Sequence, residues 1–273
     1  MMKKRLAACL LALTALTILT AAEAPELVVD GHRGYFAKYP ENTLPAFAAA
    51  VKLGLKRIEY DVQRTKDGVL VIRHDNLIHR DPAAAAANFK ISEHTLAEVK
   101  TLDVGRYKGE AFAGTRVPTL EETVAFFRAE APRVEQFVEL KGTCRDMAAV
   151  DEIVALFHRN GLEEQLYIIS FDINLLREAH QKYPDLKLQG LLSRELPADI
   201  YERCAGFTNI GLMHKIVTPE VVKAFHDRGT KVEAWCVDTP ELLARMIACG
   251  VDSVTTNEPE IILNALRNPS EKK

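Results

Sequence analysis

The chain has 273 residues, 48% of them hydrophobic and 27% charged, and a net charge of −3. Those proportions exclude a disordered chain, a collagen and a polytopic membrane protein. With no basic excess and only 7% aromatic residues, none clustered with Lys or Arg, they also argue against nucleic acid as a partner.

The first predicted element lies outside the fold. Met1-Met2-Lys3-Lys4-Arg5 precedes an uncharged run from Leu6 to Ala22, which ends in small residues before Glu23. A basic start, an apolar centre and a small-residue end predict a secretory signal peptide over 1–22 and a mature domain over 23–273, exported to the periplasm or secreted. Thr14, Thr17 and Thr20 make the run a weak membrane span, so no stable span is expected after cleavage. Export would leave Cys144, Cys204, Cys236 and Cys249 in an oxidising compartment, where disulfides and buried thiols are both open.

Beyond the leader, short β-branched runs alternate with amphipathic stretches. Strands are predicted over 27–31, 57–62, 69–73, 135–140, 165–170, 186–192, 207–211, 231–237 and 251–255. Helices are predicted over 42–53, 120–129, 147–160, 173–182, 219–228 and 240–249, with Gly161, Gly229 and Gly250 where helices commonly stop. This rhythm predicts an α/β fold, a (β/α)8 barrel, over an open doubly wound sheet, because no G-x-G-x-x-G follows a strand. Nine strand candidates compete for eight places. Only Thr65-Lys66-Asp67-Gly68 separates the second from the third, too little for a helical crossover, so a hairpin or a distorted barrel segment is expected there. The stretch from Asp75 to Pro118 fits neither rhythm and is predicted to be a functional insertion.

The reactive side chains fall at predicted strand ends. His32 and Arg33 follow the first strand, on the edge where a barrel opens its active site. Histidine exchanges protons near neutral pH, and arginine grips phosphate through two parallel hydrogen bonds. Glu59 and Asp61, two apart on a strand, share one face, with Ile58, Tyr60 and Val62 on the other. Two carboxylates turned into a barrel repel and lose solvation unless a cation neutralises them. His74 ends the next run, and Glu139 and Lys141 share a face after the insertion. Two histidines, three carboxylates, an arginine and a lysine on successive strands fit cleavage of a phosphate ester. That reaction uses a divalent cation at the phosphoryl group, cations on its oxygens and an acid–base pair. An all-oxygen ligand set favours Ca²⁺ or Mg²⁺ over Zn²⁺.

In order and spacing, His32-Arg33-Gly34, Pro40-Glu41-Asn42-Thr43, Glu59-x-Asp61, Thr65-Lys66-Asp67-Gly68 and His74-Asp75 resemble the glycerophosphodiester phosphodiesterase family. Pro118-Thr119-Leu120-Glu121-Glu122, Glu139-x-Lys141, the Trp235 strand and Thr256-Asn257-Glu258-Pro259 continue the resemblance to about residue 260. The resemblance implies a distorted TIM barrel, with an insertion near residues 75–118, that hydrolyses small glycerophosphodiesters to sn-glycerol 3-phosphate and an alcohol. It implies Glu59, Asp61 and Glu139 as metal ligands and His32 and His74 as general acid and base, in an order the sequence leaves open. It further implies that Arg33 and Lys141 bind phosphate and that Glu41 lies near the metal. Trp235, the single tryptophan, belongs either to the substrate pocket or to the core. Two departures, the Ala83–Ala87 tract and Asn257 at a position where the family often has aspartate, bear on substrate choice. The alternative is a phospholipase D-type or lysophospholipase D-type enzyme acting on lipids with the same site. It would show an exposed apolar rim, for which the insertion offers Phe89, Ile91, Leu96 and Phe112. These motifs carry no information on oligomeric state.

Overall fold

The structure is a computed structural model that describes residues 27–78 and 80–268; the predicted leader over 1–22 lies outside them. Nine strands follow in chain order: β1 (Val28–Gly31), β2 (Arg57–Arg64), β3 (Leu70–Ile72), β4 (Glu135–Leu140), β5 (Leu166–Ser170), β6 (Lys187–Leu192), β7 (Asn209–Met213), β8 (Lys231–Trp235) and β9 (Ser253–Thr256). All except β3 are parallel and close into a barrel, β1 pairing with β2 on one side and β9 on the other. The predicted eight-stranded barrel is therefore present. β3 is the surplus candidate: it runs antiparallel to β2, Val62 opposite Ile72, so the ambiguous segment is a hairpin. Its turn closes through Thr65 N–H donating to Val69 O at 3.0 Å and through Gly68 at φ +89°, a left-handed conformation that glycine adopts without strain.

Among the described residues ten α-helices follow in chain order, α2 and α3 within the insertion and the others around the barrel: α1 (Leu44–Lys52), α2 (Pro82–Ala86), α3 (Leu96–Val99), α4 (Leu120–Glu130), α5 (Met147–Asn160), α6 (Ile173–Lys182), α7 (Ile200–Arg203), α8 (Pro219–His226), α9 (Pro240–Cys249) and α10 (Pro259–Arg267). Gly161 and Gly250 end α5 and α9 in left-handed conformations, as their positions predict. The helix predicted from residue 42 starts at Leu44, because Asn42 has φ +57° and Thr43 is extended. Four helices escaped prediction: α2 and α3 in the insertion, and α7 and α10 outside it. α7 is a single turn, and α10 begins with Pro259 at its first position, where the missing N–H costs nothing.

Alternation along β2 sorts its side chains as predicted. Ile58, Tyr60 and Val62 are fully buried on the outer, helix-facing side. Tyr60 lies 5.5 Å from Phe47 and 6.1 Å from Phe127, in ring-centroid distances. Arg57, Glu59 and Asp61 point into the barrel. At its floor Arg57 donates to Glu135 at 2.9 Å and to Glu233 at 3.2 Å, with its guanidinium 4.3 Å above the Phe137 ring. The charge so far inside is thus compensated by a partner and by hydrogen bonds, the condition under which a buried ion pair is tolerated.

The insertion builds a small core of its own from Ile78, Ile91, Val99, Leu102, Val104 and Val117, joined to Val71 of β3. Lys66 N–H donates to His94 O at 2.8 Å and Leu96 N–H to Asp67 at 2.9 Å, fastening it to the β2–β3 turn.

Candidate active site

The barrel's upper edge gathers the predicted residues. β1 ends in Gly31, where any Cβ would stand 2.9 Å from Gly34 O and from Leu55 Cδ1, so the chain can turn sharply there only with glycine. Two residues on, Arg33 takes φ +54°, costly for a non-glycine residue and the kind of strain that clusters at functional sites. That conformation aims its backbone N–H at Glu59 Oε2, 2.9 Å away. Asn42, also at positive φ, clamps Asp61 from both sides: its Nδ2 donates to Asp61 Oδ2 at 2.7 Å, and its Oδ1 accepts from Asp61 N–H at 3.1 Å.

On β4 the register sets Glu139 directly beside Asp61. One oxygen each from Glu59, Asp61 and Glu139 lies within 4.8 Å of the others. Lys141 Nζ stands 2.6 Å from Glu139 Oε1 and 3.3 Å from Asp61 Oδ1. Burial pushes the Glu59 carboxyl well above the usual range, with Asp61 and Glu139 adding repulsion. Burial and Asp61 push Glu139 up to about 7. Burial acts on Asp61 in the same direction, yet Lys141, Arg33 and His74 outweigh it and hold its carboxyl down at about 2. Glu59 Oε1 is buried and has no hydrogen-bond partner. Three converging carboxylates, two of them destabilised as anions and one oxygen orphaned, fit a hard divalent cation held by oxygen.

Both histidines face the same cavity of about 280 Å³, with Arg33, Glu59, Glu139 and Lys141. His32 Nδ1 is 2.6 Å from Asn257 Oδ1, and its Nε2 is 3.9 Å from Glu59 Oε2. Burial, then the charge of Arg33, brings its pKa down to about 4, so the ring is neutral at physiological pH. His74 pairs through Nδ1 with Asp75 at 2.6 Å, and burial lowers its pKa as well. Ile169, Leu191, Phe171 and Trp235 form the opposite, apolar wall, Phe171 and Trp235 meeting edge-on at 5.8 Å. Trp235 therefore belongs to the cavity.

Glu41 stands one side chain away from the carboxylate cluster, since the Arg33 guanidinium it holds also lies 3.6 Å from Asp61 Oδ2. It is fully buried behind Arg33, accepting from Arg33 Nη1 at 2.7 Å, with Arg80 Nη1 3.2 Å away, and it does not line the cavity. It reaches the site only through that guanidinium. Asn257 differs from its expected role, because it touches His32 and so bears on the reacting groups more than on substrate choice. Sequence reasoning gave no role to Asn42 or Phe171; the one available signal was the place of Asn42 within the Pro40-Glu41-Asn42-Thr43 motif. The four cysteines among the described residues are all free. Cys236 lies 3.6 Å from His32 Nδ1, its thiol pushed up to about 12 by burial and by Asp238.

The carboxylate cluster has a consequence for stability. A carboxyl whose pKa is raised by folding contributes stability below its unfolded value and loses it as pH rises through the folded value. For Glu139 that window runs from 4.5 to about 7, and Glu59 acts in the same direction, whereas Asp61 matters only in strong acid. Metal-stripped protein is expected to melt lower at about pH 8 than at about pH 5.5, and a divalent cation to raise the melt more at the higher pH. Thermal melts with EDTA and with Ca²⁺ at both pH values measure this; a cation effect independent of pH would contradict it.

A family model for the glycerophosphoryl diester phosphodiesterase family matches residues 32–261. The glycerophosphodiester phosphodiesterase of Caldanaerobacter subterraneus subsp. tengcongensis is 34% identical over 243 residues, 88% of this chain and 98% of the relative. The solved structure of an Oleispira antarctica phosphodiesterase in complex with the product sn-glycerol-3-phosphate aligns with a TM-score of 0.79 at 26% identity, covering 88% of this chain and 96% of that one. A glycerophosphodiester phosphodiesterase from Thermotoga maritima aligns with a TM-score of 0.70 at 27% identity, covering 88% and 98%.

Proposed function

The chain belongs to the glycerophosphoryl diester phosphodiesterase family, and from that membership and the site's geometry we propose that it hydrolyses small glycerophosphodiesters to sn-glycerol 3-phosphate and an alcohol by histidine acid–base catalysis. The observation that carries this reading is the meeting of Glu59, Asp61 and Glu139 within 4.8 Å beneath a cavity that both histidines line. The three carboxylates would hold Ca²⁺ or Mg²⁺, which when bound polarises the phosphoryl group and lowers the charge developing on its oxygens. Arg33 and Lys141, on the same wall, hold the phosphoryl oxygens and orient the diester. The apolar wall of Phe171 and Trp235 receives the organic part of the substrate and excludes water from it.

His32 is taken as the proton acceptor because burial and the charge of Arg33 disfavour its protonated form, which leaves the ring neutral and a ring nitrogen lone pair available at physiological pH. Its Nε2 takes the proton of the attacking hydroxyl as the new P–O bond forms; water as attacker gives glycerol 3-phosphate directly, whereas the glycerol 2-hydroxyl gives a cyclic phosphate that a water then opens in a second displacement. His74 gives a proton to the alkoxide as the old P–O bond breaks, and Asp75 at 2.6 Å stabilises its charged form.

Among the described residues, little supports the apolar rim that the lipid-directed alternative would use. Ile91 is fully buried, and Phe89 and Leu96 pack against the insertion core. Phe112 packs edge-on against Tyr39 at 5.3 Å. Of the large apolar residues exposed among those described, Leu77, Phe171, Ile247 and Ile261, only Phe171 lines the cavity. Glycerophosphocholine is therefore expected to yield choline and glycerol 3-phosphate in equal amounts, and lysophosphatidylcholine to react far more slowly. Comparable rates on both substrates would favour the lipid-directed enzyme.

A further inference from the structure

We propose that Asp238, through the side-chain amide of Asn257, fixes the tautomer and orientation of His32; this rests on the reading of His32 as proton acceptor. Asp238 lies between β8 and α9, and its carboxylate gathers three donors from the end of β9. Thr256 Oγ1 donates to its Oδ1 at 3.0 Å, Asn257 N–H to the same oxygen at 2.8 Å, and Asn257 Nδ2 to its Oδ2 at 2.8 Å. A carboxylate accepts and does not donate, so the Asn257 amide has one orientation: nitrogen toward Asp238, oxygen toward the barrel. That oxygen is the atom 2.6 Å from His32 Nδ1. It can only accept, so Nδ1 carries the hydrogen and the lone pair lies on Nε2, the nitrogen on the Glu59 side of the cavity. The rest of the corner is braced by His32 N–H donating to Thr256 O at 3.0 Å and Val237 N–H donating to Thr255 O at 2.8 Å. Asp238 and Asn257 are thus positioning residues: neither lines the cavity, and both act through the ring.

Exchanging the two side chains distinguishes this chain of bonds from mere packing. In Asp238→Asn the residue 238 amide can keep its oxygen for Thr256 and the Asn257 N–H, which sets its NH₂ against the Asn257 NH₂. The Asn257 amide then turns over, presents a donor to His32 Nδ1, and moves the ring proton to Nε2. In the double variant Asp238→Asn/Asn257→Asp, the new carboxylate accepts from the residue 238 amide on one oxygen and from His32 Nδ1–H on the other, which restores the original tautomer.

Long-range ¹H–¹⁵N spectra at about pH 8, with the His32 signals identified by their loss in His32→Ala, read the tautomer directly and without reference to activity. The wild type is expected as Nδ1–H, Asp238→Asn as Nε2–H, and the double variant as Nδ1–H again. On glycerophosphocholine, Asp238→Asn should lower kcat by about 10²-fold with KM within about 3-fold, and the double variant should recover most of that loss. A wild-type ring found as Nε2–H overturns the proposal without any variant, as does an Asp238→Asn protein that keeps both the Nδ1–H tautomer and wild-type kcat. A double variant that stays Nε2–H also overturns it. A wild type that leaves glycerophosphocholine intact while showing the expected tautomers instead refutes the substrate reading and spares the bond chain.

Discussion

His32→Ala and His74→Ala are each expected to lower turnover by roughly 10²–10⁴-fold while leaving the melting transition close to that of the wild type. Neither ring belongs to the hydrophobic core, and their side chains keep 19% and 31% exposure at the cavity wall, so truncation opens space that water can fill. The two losses should not add in the double variant, because both residues serve one displacement. Changing the leaving group separates their roles. A glycerophosphodiester of p-nitrophenol expels a stable phenolate that needs no proton, so His74→Ala should recover most of its rate on that substrate and His32→Ala should not. Recovery in His32→Ala alone would reverse the assignment, and near-normal rates for both variants on glycerophosphocholine would remove the histidines from the reaction. The measurement is a steady-state rate on both substrates beside a thermal melt of each variant.

The second large effect is expected at Asp61. Its carboxylate is the one of the three that its surroundings hold ionised, through Lys141, Arg33 and the Asn42 clamp. Asp61→Asn preserves the shape and an oxygen for Asn42 but removes the charge a cation would meet. Affinity for Ca²⁺ or Mg²⁺ should fall by more than the 10–100-fold typical of losing an outer-shell partner, and turnover should fall with it. Calorimetric titration of the metal-stripped protein gives the affinity. Unchanged binding in this variant would place the cation elsewhere.

The residues that could be read from sequence are those whose geometry is local. Glu59 and Asp61 share a face because strands have a period of two, and the apolar Ile58, Tyr60 and Val62 between and around them identify the other face. Glu139 and Lys141 follow the same rule, and the β2–β4 register that sets Glu139 against Asp61 follows from a parallel barrel. What stayed hidden depends on contacts between distant parts of the chain. His32 and Asn257 are 225 positions apart, and only closure of β9 onto β1 brings them to 2.6 Å. Glu41 sits in a conspicuous motif, yet its position behind Arg33 follows from the positive φ of both Arg33 and Asn42, which no periodicity announces. In the insertion, apolar residues without a regular period gave no sign of which side would be covered. Ile91, Phe89 and Leu96 turned inward because the segment has its own core to fill.

The reaction and its dependence on a cation meet in one assay: release of glycerol 3-phosphate from glycerophosphocholine by the purified protein, first with EDTA and then with Ca²⁺ or Mg²⁺ restored. Release that stops on chelation and returns with the cation is the expected result. Release that continues undiminished under full chelation would contradict a cation-dependent site at Glu59, Asp61 and Glu139.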